Sequence, residues 1–315
     1  MRCYYKMKGM LLAAGKGTRL HPLTMLKPKP IMPVANISVL EHSLLKLNEY
    51  GVNEVGINVS YMAQSIIDEI SSITDYNIVW SVEPEPIGTA GGLKKLEGAL
   101  GDDDTILVIS GDAIIDFDLR EFIDSHKRNN ALVTILAVEV TETDRFGIIV
   151  HDKNVVTSFQ EKPIQGTELS NLANTSIYCL NRQVFDMIPE NTFFDFALDL
   201  FPYMLEKNIP IHVVEGKGQW TDIGNPLAYH AVNMEYLDGK VKIPSCGKFT
   251  NGSLIGDGTD VSNIELSHSV IGSNCKFQDG SSVINSVVWD DFSLDVPINV
   301  KNAIVTNEFI FNVDA

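Results

Sequence analysis

Residues Gly9–Val34 read "GMLLAAGKGTRLHPLTMLKPKPIMPV". Met10–Ala14 is an uncharged apolar run that feeds a loop with glycine at positions 15 and 17, as a buried strand feeds a tight turn. The charge around that loop is one-sided. Arg2, Lys6, Lys8, Lys16, Arg19, Lys27 and Lys29 all precede the first carboxylate, Glu41, and make up seven of the 24 Lys and Arg residues. The whole chain carries −17, so the remainder is more acidic than the total suggests. A basic segment in an acidic protein suits a small anion, because a polyanion would be repelled elsewhere on the surface.

Two familiar anion loops do not fit. A Walker A loop needs Ser or Thr directly after Gly15-Lys16, where Gly17 stands, and a dinucleotide fingerprint needs glycine at the position of Leu20. What remains is a strand followed by "AAGKGTR", whose small residues let backbone N–H groups approach an anion while Lys16 and Arg19 add charge.

Beyond the loop, short β runs alternate with amphipathic helices up to about residue 238. "SVLEHSLLKLNEYG" reads as a helix opened by a Ser38/Glu41 capping box, with Leu40, Leu44, Leu45 and Leu47 on one side and Gly51 at its end. "EVGINV", "YNIVWSV" and "TILVIS" read as strands; "MAQSIIDEI" and "TAGGLKKLEGAL" read as helices. This alternation predicts a Rossmann-like α/β domain with a mostly parallel mixed sheet, whose ligands bind at the carboxyl ends of its strands. The glycine loop and Gly111-Asp112 both fall at such ends.

From Gly252 the helix signals stop. The apolar pairs Ile255/Val261, Ile271/Phe277, Val288/Leu294 and Ile304/Ile310 each lie six residues apart and succeed one another after 16, 17 and 16 residues. Leu254, Val270, Val287 and Ala303, one before each pair, are apolar as well. Such a repeat predicts a short parallel β-helix. The domains are therefore expected at 1–240 and 251–315.

With 44% apolar residues the 315-residue chain can bury a sizeable core, and no apolar run approaches the ~20 residues that span a bilayer. The N-terminus does not read as a signal peptide. Cys3, Cys179, Cys246 and Cys275 show no framework spacing, so free thiols in a reducing cytoplasm are expected. The acidic balance argues against nucleic acid and membrane partners.

Read in order, "LLAAGKGTRLHPLTMLKPKPIMPV", "EPEPIGTAGGL", "LVISGDAIIDFDL", "FGIIV", "FQEKP", "LANTSIYCL", "FFDFALDLFPYML" and "WTDIGN" resemble the signatures of the sugar-1-phosphate nucleotidylyltransferases. The repeat tail resembles the left-handed β-helix that many of them carry, and the nearest subgroup is the mannose-1-phosphate guanylyltransferases. The resemblance implies transfer of a nucleotidyl group from a nucleoside triphosphate to a sugar 1-phosphate, with Mg²⁺. It places the nucleotide on Ala13, Ala14, Gly15, Lys16, Gly17, Thr18 and Arg19, and on Glu83, Gly88, Thr89 and Asp112. Arg19, Lys29 and Asp112 would be catalytic, Asp112 and Asp222 would hold the metal, and Gly147, Glu161, Lys162, Asn174 and Thr175 would hold the sugar phosphate. The family usually has glycine where Ser176 stands.

Each residue also has a plain structural reading. Asp222 is placed to cap the helix after Gly224, Glu-Lys-Pro is a common surface turn, and Glu83 precedes two prolines. A carboxylate is acceptor-only, so Glu83 at the base edge suits the paired donors of guanine. This favours GTP, in agreement with the subgroup resemblance, which also implies mannose 1-phosphate as the acceptor. The alternatives are a glucose-1-phosphate uridylyl- or thymidylyltransferase, and a catalytically silent nucleotide-sugar-binding regulatory subunit. His268 in the tail raises the question of a β-helix acyltransferase, against which the shortness of the tail argues. An end coil needs a cap or a partner, so the tail is expected to form a homo-oligomer.

Overall fold

A computed structural model describes residues 7–73 and 76–313 of the chain. Arg2, Cys3 and Lys6 lie outside the described residues. By compactness the chain falls into two units. The first takes the chain up to Lys16, Ser43–Gly111 and Phe117–Trp220; the second takes Gly17–His42, Asp112–Asp116 and Thr221–Ala315. The coil stack therefore shares its unit with Gly17–His42, a division that cuts across the sequential one at residues 240–251.

In the first unit a nine-stranded mixed sheet forms the centre. Its parallel part runs in the order Asn77–Val82, Glu54–Val59, Lys8–Ala13, Thr105–Ser110. Leu172–Asn181 then pairs antiparallel with Thr105–Ser110 on one side and Val133–Glu139 on the other. Ile211–Glu215, Val155–Glu161 and Gly147–Asp152 complete the far edge. The register aligns Ala13 with Val59 and Val59 with Val82, so three parallel strands end level, at the side where ligands of such sheets bind.

Glycines let the layers close. A Cβ on Gly56 would stand 2.8 Å from Leu96 Cδ1, so this bare patch of strand receives Leu96 and Leu100. The predicted helix over "TAGGLKKLEGAL" is two: Thr89–Lys95 and Glu97–Leu100 meet at Leu96, whose φ of −97° and ψ of 8° break the helical path. The Ser38 cap holds, its Oγ accepting from the Glu41 N–H at 3.3 Å, and Val39–Glu49 buries Leu40, Leu44 and Leu47.

In the second unit the repeats stack as parallel strands in two sheets, consistent with a left-handed β-helix. Ile271, Val288 and Val305 fill the interior of the coils. Leu254, Val270, Val287 and Ile304 point the other way, into a cluster with Tyr229, Val232 and Val34, under the helix Pro226–Leu237. This explains the apolar residue before each pair: that sheet is buried on both faces. Tyr229 ties the layers by donating to the Pro33 carbonyl at 2.6 Å and accepting from Trp289 Nε1 at 2.9 Å.

The last coil corrects the predicted register. Val287 aligns with Ile304, not with Ala303, and Ala303 instead continues a column of buried serines. Ser253 Oγ accepts from Ser269 N–H, Ser269 Oγ from Ser286 N–H, and Ser286 Oγ from Ala303 N–H, each at 3.0 or 3.1 Å. Ile310 does not continue the fourth coil from Ile304; Ile310–Asn312 returns antiparallel against Ala303–Val305, and Lys248–Thr250 does the same against Ser253–Ile255. This sheet of the stack thus carries a cap at each end, which removes the open edge on which self-association was argued there.

Among the described residues Cys179 and Cys275 are buried free thiols and Cys246 is exposed and free. Burial pushes the Cys275 thiol up to about 11, which makes it unreactive. No helix among the described residues is long and apolar enough to cross a membrane.

Candidate active site

A four-charge cluster lies within the second unit. Lys29 sits in a one-turn helix, Lys29–Ile31, whose backbone is preset by Pro28 and Pro30. Its side chain is 6% exposed, and its ammonium stands 2.8 Å from both Asp112 Oδ2 and Asp222 Oδ1. Arg19 Nη2 approaches Asp222 Oδ2 at 3.7 Å from a more exposed position. Burial disfavours the Lys29 charge, but attraction and hydrogen bonds from Asp112 and Asp222 outweigh it and hold its pKa above the ordinary lysine value.

Local sequence makes the cluster possible. Gly17 is left-handed at φ 62°, and a Cβ there would press within 3.2 Å of Lys29 Cβ and Thr24 Cγ2. A Cβ on Gly224 would stand 2.7 Å from Asp222 Oδ2 and 3.4 Å from Arg19 Cζ, so "WTDIGN" needs its glycine beside the ion pair. Asp222 does not cap the following helix. Asn225 does, its Oδ1 accepting from Ala228 N–H at 2.8 Å, which leaves Asp222 for the cluster.

Two carboxylate oxygens that both reach one ammonium can address one cation. The donor set is hard oxygen, which suits Mg²⁺ bound by one or two protein carboxylates with phosphate oxygens and water. No group of three or more His, Cys, Asp or Glu side chains suited to a metal occurs among the described residues.

The base-side and sugar-side residues lie within the first unit. Ala13 and Ala14 are buried at the end of the first strand, while Gly15, Lys16, Thr18 and Arg19 are exposed. Gly88, at φ 82°, passes so close to Phe194 that a Cβ would meet its carbonyl oxygen. The Thr89 hydroxyl donates to Asp195 Oδ2 at 2.8 Å and accepts from Phe196 N–H at 3.0 Å, fixing the turn. Glu83 is not a surface residue; it is 1% exposed. Its Oε1 accepts from Asn58 Nδ2 at 2.9 Å and its Oε2 from Ile87 N–H at 3.1 Å.

Gly147 and Glu161 face each other across paired strands, and a Cβ on Gly147 would come 2.9 Å from Glu161 Oε2. Lys162 Nζ rests 3.0 Å from Glu161 Oε1 on an exposed turn at φ 43°. Asn174 and Thr175 belong to a bulge, between Asn174 and Ile177, in the strand Leu172–Asn181. Asn174 Oδ1 accepts from Ser176 N–H, and its Nδ2 donates to Tyr178. The Thr175 hydroxyl was expected on the sugar; it is 1% exposed and donates to the Leu136 carbonyl at 2.6 Å, so it holds the bulge. Ser176 is left-handed at φ 59°, which explains why glycine is natural at this position.

Sequence reasoning missed Asn58 and Asp195. Asn58 carried one signal, a polar residue near the end of an otherwise buried strand; Asp195 carried none beyond a cap position.

Residues 8–239 match the family described as nucleotidyl transferase, and residues 244–313 match the GlmU-like C-terminal hexapeptide family. The chain belongs to the nucleotidyl transferase family. It is 33% identical to a UTP–glucose-1-phosphate uridylyltransferase of Synechocystis, over 97% of this chain and 83% of that one. It is 35% identical to a mannose-1-phosphate guanyltransferase of Debaryomyces hansenii, over 73% of this chain and 65% of that one. Among solved structures it resembles HddC of Yersinia pseudotuberculosis complexed with GMP-PN, with 28% identity, a TM-score of 0.62, and 73% and 99% of the two chains covered. A sugar 1-phosphate and a nucleotidyl group are common to the names of the two sequence relatives.

Proposed function

We propose that this chain transfers a nucleotidyl group from GTP to mannose 1-phosphate, releasing pyrophosphate. The carrying observation is the cluster of Lys29, Asp112, Asp222 and Arg19. A sugar-phosphate oxygen attacks the α-phosphorus; a new P–O bond forms as the bond to the β-phosphate oxygen breaks, and pyrophosphate leaves with those electrons. Two anions must meet, so positioning and charge neutralisation matter more than an acid–base pair. Lys29 is assigned to the α-phosphate and Arg19 to the triphosphate tail, which accounts for the basic opening of an acidic chain.

Enzymes of this family use a divalent metal, and Mg²⁺ held by Asp112 and Asp222 would add neutralising charge on the phosphates. Because Lys29 already bonds both carboxylates, its ammonium is preset beside them. Glu161 and Asn174 are assigned to sugar hydroxyls, Gly147 to a backbone contact, and Lys162 to the sugar phosphate.

Guanine is favoured because the Glu83 carboxylate accepts one bond at each oxygen and retains a lone pair on each, matching the two adjacent donors N1–H and N2–H. The relative crystallised with GMP-PN supports the same base. The uridylyl relative keeps the uridine alternative in view. The coil stack is assigned to self-association on the strength of its hexapeptide-family match. Pyrophosphate release with GTP, UTP and dTTP against mannose and glucose 1-phosphates tests the reading. The pair GTP and mannose 1-phosphate should give the highest kcat/KM; equal values for GTP and UTP would end the guanylyl assignment.

A further inference from the structure

A line of buried hydrogen bonds joins the glycine loop to the turn at Glu83–Gly88, and one side chain carries it. Asn58 is the fifth residue of Glu54–Val59 and is 3% exposed. On one side its Oδ1 accepts from Ala13 N–H at 3.1 Å. On the other its Nδ2 donates to Glu83 Oε1 at 2.9 Å, and Glu83 Oε2 accepts from Ile87 N–H at 3.1 Å. The neighbours fix the amide orientation, since a backbone donor faces its oxygen and a carboxylate faces its nitrogen. Gly92 gives the pair its room: a Cβ there would stand 2.5 Å from Asn58 Nδ2 and 3.0 Å from Glu83 Oε1.

We infer that Asn58 is a positioning residue for the nucleoside triphosphate, setting the glycine loop and the base-side turn at one fixed separation. The inference rests on the reading that these two segments hold the phosphates and the base. A nucleotide spans both, so its affinity depends on their relative placement. A ligand touching only one of them does not feel the link. The chain of bonds is also polar in one direction, which permits a reversal. With N58D alone, a new carboxylate faces the Glu83 carboxylate. With E83Q alone, the new amide must turn its NH₂ toward either Asn58 Nδ2 or Ile87 N–H, donor against donor. In the exchange N58D/E83Q every donor again meets an acceptor: the new carboxylate takes Ala13 N–H and the new amide N–H, and the new amide oxygen takes Ile87 N–H.

The test is calorimetric binding of GTP, UTP and inorganic tripolyphosphate to the full chain and to these three variants, with thermal unfolding of each. N58D is expected to weaken GTP and UTP at least about tenfold while tripolyphosphate stays within about twofold. The exchange N58D/E83Q is expected to regain most of the UTP affinity. Unchanged GTP and UTP binding in N58D would overturn the inference. So would equal losses for nucleotides and tripolyphosphate that the exchange fails to repair, because that pattern marks a general structural defect. An unmodified chain that binds none of the three probes would instead refute the nucleotidyl-transfer reading itself.

Discussion

The mixed sheet and the coil stack bury polar side chains in opposite ways. In the stack they recur as columns. Ser253, Ser269 and Ser286 repeat one bond from coil to coil, and His268, Asn285 and Asn302 repeat a left-handed turn with side chains linked at 2.9 and 2.7 Å. In the sheet they stand singly: Asn58, Glu83, Asn174 and Thr175 have no periodic neighbour of their kind. A repeated buried polar group is explained by the repeat, since each coil must satisfy the same backbone donor. An unrepeated one needs its own reason. Four of the unrepeated ones, Asn58, Glu83, Asn174 and Thr175, are those nearest the segments that the proposed function assigns to the base and the sugar.

The strongest way to break that comparison is to remove a group that belongs to no column. Asp222 bonds Lys29 and approaches Arg19, and Asp222→Asn keeps its shape while removing its charge. Turnover is expected to fall by about 10²–10³-fold, the usual loss when a preorganised charge partner in an active site is removed. Pyrophosphate release at limiting Mg²⁺ measures it, with circular dichroism to confirm folding. Near-normal turnover would place Asp222 outside the chemistry.

A second prediction sets the units side by side under acid. In each, burial lowers one histidine from 6.5 to about 4, His126 in the first and His42 in the second, and shifts His212 and His230 the same way. The unfolded chain takes up these protons near pH 6.5 and the folded one only near pH 4. The stabilisation is therefore complete above about 6.5 and is lost as pH falls toward 4, on the order of 3 kcal/mol per histidine. His126 Nδ1 has the Thr134 hydroxyl at 2.9 Å, whereas His42 Nδ1 is buried without a hydrogen-bond partner. A proton placed on His42 Nδ1 would thus be buried without an acceptor in the second unit, whereas His126 Nδ1 has one in Thr134. Hydrogen exchange between pH 6.5 and 4 should show its amides opening first, and the reverse order would contradict this account.

Much of this architecture was legible because periodicity reports burial directly. The strand into the glycine loop, the Ser38 cap and the stack all announced themselves through spacing. The register of the last coil did not, because Ala303 is apolar enough to pass for Ile304. The break at Leu96 escaped because Leu96 and its neighbours Leu93, Lys94, Lys95 and Glu97 all favour a helix. The partners of Glu83 also escaped, because residue type alone does not show that Asn58 and Ile87 hold its carboxylate from within. Nor does the sequence show that residues 29, 112 and 222 meet; only the folded unit does that.

The columns should be sensitive to stability tests and silent in kinetic ones. Ser269→Ala removes the acceptor of Ser286 N–H in a buried position, and an unsatisfied buried donor costs about 1–3 kcal/mol. Urea unfolding is expected to show that loss with KM for both substrates unchanged. A kinetic effect without a stability effect would undo the distinction between column and single residue.

The smallest effect should come from Ser176, where the sheet has a left-handed residue of its own. An L-residue there carries about 1–2 kcal/mol of strain, and glycine carries none. Ser176→Gly removes that strain but adds about 0.5–1 kcal/mol of chain entropy on folding, and it gives up the serine's hydrogen bond to Tyr178. The bulge itself stays held by Asn174 Oδ1 on the backbone N–H of position 176 and by Thr175 on the Leu136 carbonyl, neither of which needs the serine side chain. A net gain of a few tenths of a kcal/mol is therefore expected, read as a slightly higher urea midpoint. Asn174 keeps its place, so KM for the sugar 1-phosphate should move by less than about threefold and KM for the triphosphate not at all. A loss of more than about 1 kcal/mol would show that the serine hydroxyl, and not the backbone, holds the bulge in shape.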